Sequence, residues 1–327
     1  MLKEPNFWYH NSLVTYLLLP LSILYRLGFL VNKYCKQILC QQSHIKIICI
    51  GNVTIGGAGK TPTALHIAGS ILASSPGAKL CFISKGYKGK ASGPVMIRSD
   101  VNLDPKLYGD EPILLARVAP VIVAKNRRAG IRYAIKQGFE LVVLDDGMQD
   151  YSVHKDYTIL VIDGKSGVGN WYMLPAGPLR QPVVEGIKQA DHVIIMGEDK
   201  HDLGKVAVAN NKSVTYSNIV PQITEGYGKV IAFAGIGKPH KFFDTMHKLG
   251  AQVVKEVVFP DHHYYSKHDI SQLEQLAVDL NAQLVTTEKD YIKLPLELRQ
   301  KVKVVPIKIK LASGDIIQHI KDKLCIK

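Results

Sequence analysis

Residues 45–68, IKIICIGNVTIGGAGKTPTALHIA, decide how the rest of this chain is read. Positions 45–50 are a short apolar run rich in β-branched residues, the pattern of a strand buried inside a parallel sheet. A glycine-rich turn (Gly51, Gly56, Gly57, Gly59) follows, then Lys60 and Thr61, then an apolar helix start over 63–68. Glycines let backbone N–H groups converge on an anion, and the next helix aims the positive end of its dipole at the same point. The pattern predicts a phosphate cradle over Thr54, Gly56, Gly57, Ala58, Gly59, Lys60 and Thr61. In it Lys60 pairs with the β/γ-phosphates and the Thr61 hydroxyl sits on Mg²⁺. A strict P-loop has glycine where Thr54 stands, so an ordinary strand-to-helix turn is the competing reading.

Residues 141–147, LVVLDDG, carry the companion signal. An apolar strand that ends in Asp145 and Asp146 is the Walker B arrangement, which delivers an acid to Mg²⁺ beside the P-loop. Adjacent carboxylates repel, and a cation keeps both ionised. A turn capped by Asp-Asp-Gly is the plainer alternative. Strand patterns at 79–84, 120–124, 158–163 and 192–196 alternate with helical ones, which predicts an α/β fold around a parallel doubly wound sheet.

Between these strands lie several charged loops. Residues 85–90, KGYKGK, are basic and sit at a strand's end, where open α/β sheets bind ligands. Asp110 and Glu111 precede an apolar helical pattern, where they serve either as an N-cap with its dipole partner or as functional acids. Lys125, Arg127 and Arg128 open the next helix; cations there oppose the dipole and hint at an anion such as phosphate. Residues 174–182, LPAGPLRQP, form a rigid loop that presents Arg180.

The chain has 327 residues, enough for two domains, and its 41 basic and 28 acidic residues leave a net charge of +13. Such a balance suits an anionic partner: nucleotide, nucleic acid or membrane surface. Aromatics do not alternate with basic residues as in single-strand binders, so nucleic acid is the weaker choice and no nucleic-acid partner is expected. Five scattered cysteines argue for a reducing compartment, with Cys49 and Cys81 as small core residues. Positions 11–25 carry no charge, but the run is short for a spanning helix and Arg26 follows it. Trp8, Tyr9, Tyr16 and Tyr25 with Arg26, Lys33 and Lys36 suit a helix lying in a membrane surface, with a buried core helix as the alternative.

Residues 213–228 read as a linker. Strands at 229–234, 253–259 and 283–287, with helices at 242–249 and 269–280, predict a smaller α/β domain. The expected division is a helical segment 1–40, a P-loop domain 41–222 and a C-terminal domain 223–327. Ala234-Gly235-Ile236-Gly237 reads as a turn. The loop 260–265, PDHHYY, ends a strand; metal ligation, acid/base work and a plain surface loop all remain open for it. Residues 286–290, TTEKD, end the next strand on the same side.

Taken together, GNVTIGGAGKTP, SKGY, GDEP, DDGMQ, LPAGPLR, FPDHHYY and TTEKD resemble the tetraacyldisaccharide 4′-kinases, the lipid A 4′-kinases, in order and approximate spacing over nearly the whole chain. The resemblance implies transfer of the ATP γ-phosphoryl group to the 4′-hydroxyl of a tetraacylated glucosamine disaccharide 1-phosphate, an anionic acylated lipid. The place implied is the cytoplasmic face of the bacterial inner membrane, as a peripheral or monotopic protein. It also implies two α/β/α domains with the active site between them, Lys60 and Thr61 on phosphate and Mg²⁺, and Asp145 and Asp146 as the Walker B pair. Asp110 matches the carboxylate that acts as base on the sugar hydroxyl, His262 the histidine that supports it, and Arg180 a basic residue of the cleft; domain closure brings Asp110 and His262 together. Two departures stand out: Lys85 where the family usually has Arg, and Met148-Gln149-Asp150 where it usually has Phe-Gln-His. A membrane-associated ATPase switch of the partitioning type is the other class considered. Its signature lysine before the paired glycines is Ile55 here.

Overall fold

The computed structural model describes residues 5–40, 42–99, 103–222, 226–312 and 315–326. In chain order the strands are β1 (Lys46–Gly51), β2 (Leu80–Ser84), β3 (Val95–Ile97), β4 (Val121–Val123), β5 (Leu141–Asp145), β6 (Tyr157–Asp163), β7 (His192–Met196) and β8 (Ser213–Pro221). They continue with β9 (Lys229–Ala234), β10 (Gln252–Val258), β11 (Gln283–Thr287), β12 (Val302–Val305) and β13 (Ile307–Leu311). Among the described residues they form a nine-stranded sheet, ordered β13-β8-β7-β6-β1-β5-β2-β4-β3, and a four-stranded sheet, ordered β10-β9-β11-β12.

β1 holds the centre of the larger sheet because both of its faces are apolar. Ile47 and Cys49 enter one core, and Ile48 and Ile50 enter the other, as the two-residue period of a strand requires. Parallel β5 and β6 flank it, so Ile50 stands between Asp145 and Ile159. The P-loop, the acidic pair and the end of β6 therefore leave the sheet side by side. Among the described residues, only the edge strands β3 and β13 run antiparallel to their neighbours. The smaller sheet is parallel throughout.

The expected linker needs correction. Residues 213–221 are β8, parallel to β7, and β13 pairs antiparallel with β8, placing Lys308 opposite Val220. The helix Asp315–Leu324 then buries Ile316, Ile320 and Leu324 in the core beneath β1 and the helix Lys60–Ser74. The final segment thus returns to the large sheet instead of completing the small one. β8 escaped sequence reading because its buried positions are the polar Thr215 and Ser217, not an apolar run. The residues at the 222/223 boundary border 223–225, which lie outside the described residues.

Near the N-terminus the helix Leu13–Ile38 runs unbroken through Pro20, opened by a capping box between Ser12 and Thr15. Its buried positions are Thr15, Ser22 and Phe29, spaced by two turns. Ser22 donates to Met173 O (2.7 Å), and Phe29 meets Tyr151 edge-on at 6.0 Å. Leu13, Leu17, Leu24 and Val31 are at least 63% exposed on the opposite side. The usual orientation is inverted: the apolar stripe looks outward.

Candidate active site

After Gly51 the loop is pinned from one side by residues 178–180. Ile55 N–H donates to Pro178 O and Arg180 N–H to Val53 O, each at 2.8 Å, with Thr54 bridged to Leu179. Gly56 (φ 104°) and Gly59 (φ 90°) take left-handed conformations that side chains disfavour, and a Cβ on Gly59 would meet the Met196 side chain at 2.7 Å. The helix Lys60–Ser74 starts immediately afterwards, so its free N–H groups face the loop's concavity. Lys60 Nζ donates to Asn52 Oδ1 (3.2 Å) and lies 3.8 Å from Asp146 Oδ1.

The two carboxylates at the end of β5 have different surroundings. Asp146, at φ 50°, accepts from Arg180 Nη1 with both oxygens, at 3.1 and 2.9 Å. Burial would raise its pKa, but Lys60 and Arg180 outweigh that and hold it far below the usual carboxylate range. Asp145 is 3% exposed, and its Oδ1 has no hydrogen-bond partner among the described residues. Burial, then the Glu111 and Asp146 carboxylates, push it up to about 7. A buried, unpartnered carboxylate oxygen beside a phosphate cradle has the chemistry of a ligand to a hard cation, which would reverse that shift. Thr61 and Asp145 therefore fit Mg²⁺, while Asp146 also contacts Arg180 and Lys60.

Arg127 turns toward the protein's own backbone. It is 2% exposed and lies behind the acidic pair, where Nη2 donates to Asp145 O (2.8 Å) and Asp146 O (2.7 Å). Its Nη1 stands 3.4 Å from Asp150 Oδ2. Asp150, at the position where the resembled family usually has histidine, is thus the counter-ion of this buried guanidinium. Gln149 Nε2 donates to Asn52 O (2.7 Å) and ties the same turn to the P-loop. Sequence reading caught the oddity of cations at a helix start without their target.

Asp110 and His262 meet across the two sheets. His262 Nδ1 is 2.8 Å from Asp110 Oδ2, and the other oxygen, Oδ1, accepts the Glu111 N–H at 3.0 Å. Burial would raise the Asp110 carboxyl, but the His262 hydrogen bond and Lys289 outweigh it and hold it at about 2. The carboxylate is therefore ionised at neutral pH, so Nδ1 carries the proton it donates. Expected closure is unnecessary for this contact, which already exists. The adjacent histidines point apart: His263 Nε2 pairs with Asp269 Oδ2 at 3.0 Å. That divergence disposes of joint metal ligation.

The loop 260–265 is held by a buried knot. Lys293 Nζ and Asp290 Oδ1 are 2.8 Å apart with both side chains fully buried, and Tyr265 OH donates to the same oxygen. Lys293 also donates to Gly235 O, which accepts the His262 N–H. Nearby, Lys289 Nζ donates to Glu111 Oε1 at 2.8 Å, a contact between the sheets that sequence reading missed.

Several of these groups line one cleft of about 2680 Å³. Lys60, Thr61, Asp145, Asp146, Arg180 and His262 line it. Asp110, 2% exposed, sits behind His262, while Thr54 lies in a small adjoining recess. The arrangement offers an anion cradle, a carboxylate for a cation and a His–carboxylate pair, the parts that phosphoryl transfer to a hydroxyl requires.

The family described as Tetraacyldisaccharide-1-P 4′-kinase matches residues 14–325. The chain is 35% identical over 330 residues to the tetraacyldisaccharide 4′-kinase of Paramagnetospirillum magneticum, covering 100% of both. With that of Parvibaculum lavamentivorans it shares 39% identity over 307 residues, covering 90% of this chain and 87% of the relative. In fold it is similar to the crystal structure of LpxK from Aquifex aeolicus in complex with ATP, with a TM-score of 0.77 and 24% identity over 95% of this chain and 99% of that one.

Proposed function

We propose the following chemistry for this chain, which belongs to the tetraacyldisaccharide-1-phosphate 4′-kinase family. It is a phosphotransferase that moves the γ-phosphoryl group of ATP to the 4′-hydroxyl of a tetraacylated disaccharide 1-phosphate in lipid A biosynthesis. The partitioning-type switch is set aside by family membership.

The observation that carries the mechanism is the Asp110–His262 contact on the cleft that also contains the P-loop. The backbone over Gly56, Gly57, Ala58 and Gly59 cradles the triphosphate while Lys60 neutralises its β/γ end. Thr61 and Asp145 would hold Mg²⁺, which would supply positive charge against the phosphates. Arg180, fixed by Asp146, stands at the cleft wall to meet charge on the transferring group. The acceptor hydroxyl gives its proton to the Asp110–His262 pair. His262 is the member that lines the cleft, and Asp110 orients its ring and stabilises the imidazolium that forms.

Membrane attachment belongs to the same proposal. The outward apolar stripe of the helix Leu13–Ile38 and the net charge of +13 suit the surface of an anionic bilayer, on the cytoplasmic side where ATP is available. The test of function is direct. Purified protein, ATP labelled at the γ-phosphate, Mg²⁺ and a tetraacyldisaccharide 1-phosphate acceptor are expected to yield labelled lipid. No transfer by a folded, ATP-binding protein would reject the reading.

A further inference from the structure

On the far side of the P-loop from Asp145, β6 ends in Asp163. Its carboxylate is 5% exposed and accepts from two ammonium groups of the small-sheet unit: Lys238 Nζ at 2.9 Å and Lys241 Nζ at 2.7 Å through the same oxygen, Oδ2. Lys238 also donates to Ser166 Oγ at 2.6 Å. Both lysines belong to the segment that follows β9, where Gly235, Ile236 and Gly237 turn the chain into the helix Pro239–Lys248. Lys238 is 13% exposed in its side chain and shares a small recess with Ile55, Gly56, Gly57 and Ala58.

Two cations on one buried carboxylate leave one positive charge in excess. Burial alone would raise the Asp163 carboxyl; the two lysines outweigh it and hold it at about 2, so it stays ionised. Were the cluster only a tie between the sheets, one lysine would balance the charge; of the two, Lys238 (13% exposed against 38% for Lys241) is the better buried and the one that shares the recess with the loop. The surplus charge faces a backbone shaped for phosphate. Lys60, the lysine of the cradle itself, already shares Asn52 and the edge of Asp146.

We propose that Lys238 is a second phosphate-binding lysine for the triphosphate, delivered to the P-loop from the small-sheet unit, with Asp163 as its positioning residue. When the triphosphate enters, Lys238 exchanges Asp163 and Ser166 for phosphate oxygens. Lys241 stays on Asp163, so the buried carboxylate is never left without a cation, which would be costly. ATP binding thereby engages both units at a point remote from the Asp110–His262 contact. The proposal rests on the P-loop being the ATP site.

The experiment measures Mg·ATP affinity by titration calorimetry for the full chain and for Lys238→Ala, Lys238→Arg and Lys241→Ala, with melting temperature as the control for folding. Lys238→Ala is expected to weaken Mg·ATP binding roughly 10- to 100-fold, the worth of a charge-assisted hydrogen bond. Its KM for the acceptor lipid should be unchanged, and Lys238→Arg should recover most of the lost affinity. Lys241→Ala should lower the melting temperature and weaken binding less. Wild-type affinity in a folded Lys238→Ala protein overturns the proposal, as does an acceptor KM that rises in parallel. Should Lys238→Ala not fold, Lys238→Gln takes its place with the same two outcomes. A wild-type chain that binds no ATP would instead strike the P-loop reading beneath it.

Discussion

The Nδ1 of His262 lies 2.8 Å from the Oδ2 of Asp110, although 152 positions separate them and they come from different sheets. In the proposed mechanism that contact makes the base a shared property of both units. Replacing Asp110 with Asn, or His262 with Ala, should lower kcat by about 10² to 10⁴, the usual worth of a positioned proton acceptor. Mg·ATP affinity should remain near wild type. Steady-state kinetics with both substrates varied separates the two quantities, and an undiminished kcat in Asp110→Asn would remove the pair from the mechanism.

Asp145 and Asp146 should respond differently to the same change. Asp145→Asn is expected to raise the Mg²⁺ concentration for half-maximal activity by at least about tenfold, because the unpartnered Oδ1 is the oxygen offered to the cation. Asp146→Asn releases Arg180 and Lys60 and should act on kcat with a smaller change in Mg²⁺ requirement. Mg²⁺ titration of the reaction rate distinguishes them. Equal shifts in both variants would contradict the assignment.

Arg127→Ala should destabilise the fold by about 3–5 kcal/mol, since it strands Asp150 and two backbone carbonyls in the interior. Lys at this position keeps the charge but cannot span both carbonyls and the carboxylate, so partial loss is expected. Chemical denaturation reads both. A cost below about 1 kcal/mol for the alanine variant, the range of a surface pair, would show that the guanidinium does not hold the turn.

His192 gives a pH signature. Burial, with a smaller contribution from His319, lowers its pKa to about 4 from 6.5, and its Nε2 hydrogen-bonds Thr215. The unfolded chain binds the proton more tightly, so this residue destabilises the fold as pH falls from 6.5 towards 4. Over that window the loss approaches roughly 3 kcal/mol, at about 1.4 kcal/mol per unit. Wild type and His192→Gln, compared by urea titration at intervals of pH, should diverge in slope there. Parallel profiles would refute the point.

The exposed stripe of the first helix can be tested without disturbing its inward contacts. Leu17→Glu with Leu24→Glu, at positions 70% and 63% exposed, should leave the melting temperature near wild type and reduce co-sedimentation with anionic vesicles. Undiminished sedimentation would place membrane attachment elsewhere.

Sequence alone determined the P-loop, the Walker B strand and the doubly wound class, because each is written in consecutive residues: apolar runs, glycines and the charges that end them. Family resemblance extended this to the substrate. Tertiary structure decided the rest. It turned the polar Thr215 and Ser217 inward on β8, brought β13 back to the large sheet, and set Arg127 behind the acidic pair. It also gave Asp145 and Asp146 unlike neighbours and joined Asp110 to His262. These outcomes depend on which distant groups share a buried space, and local patterns of polarity and spacing carry no record of such pairings.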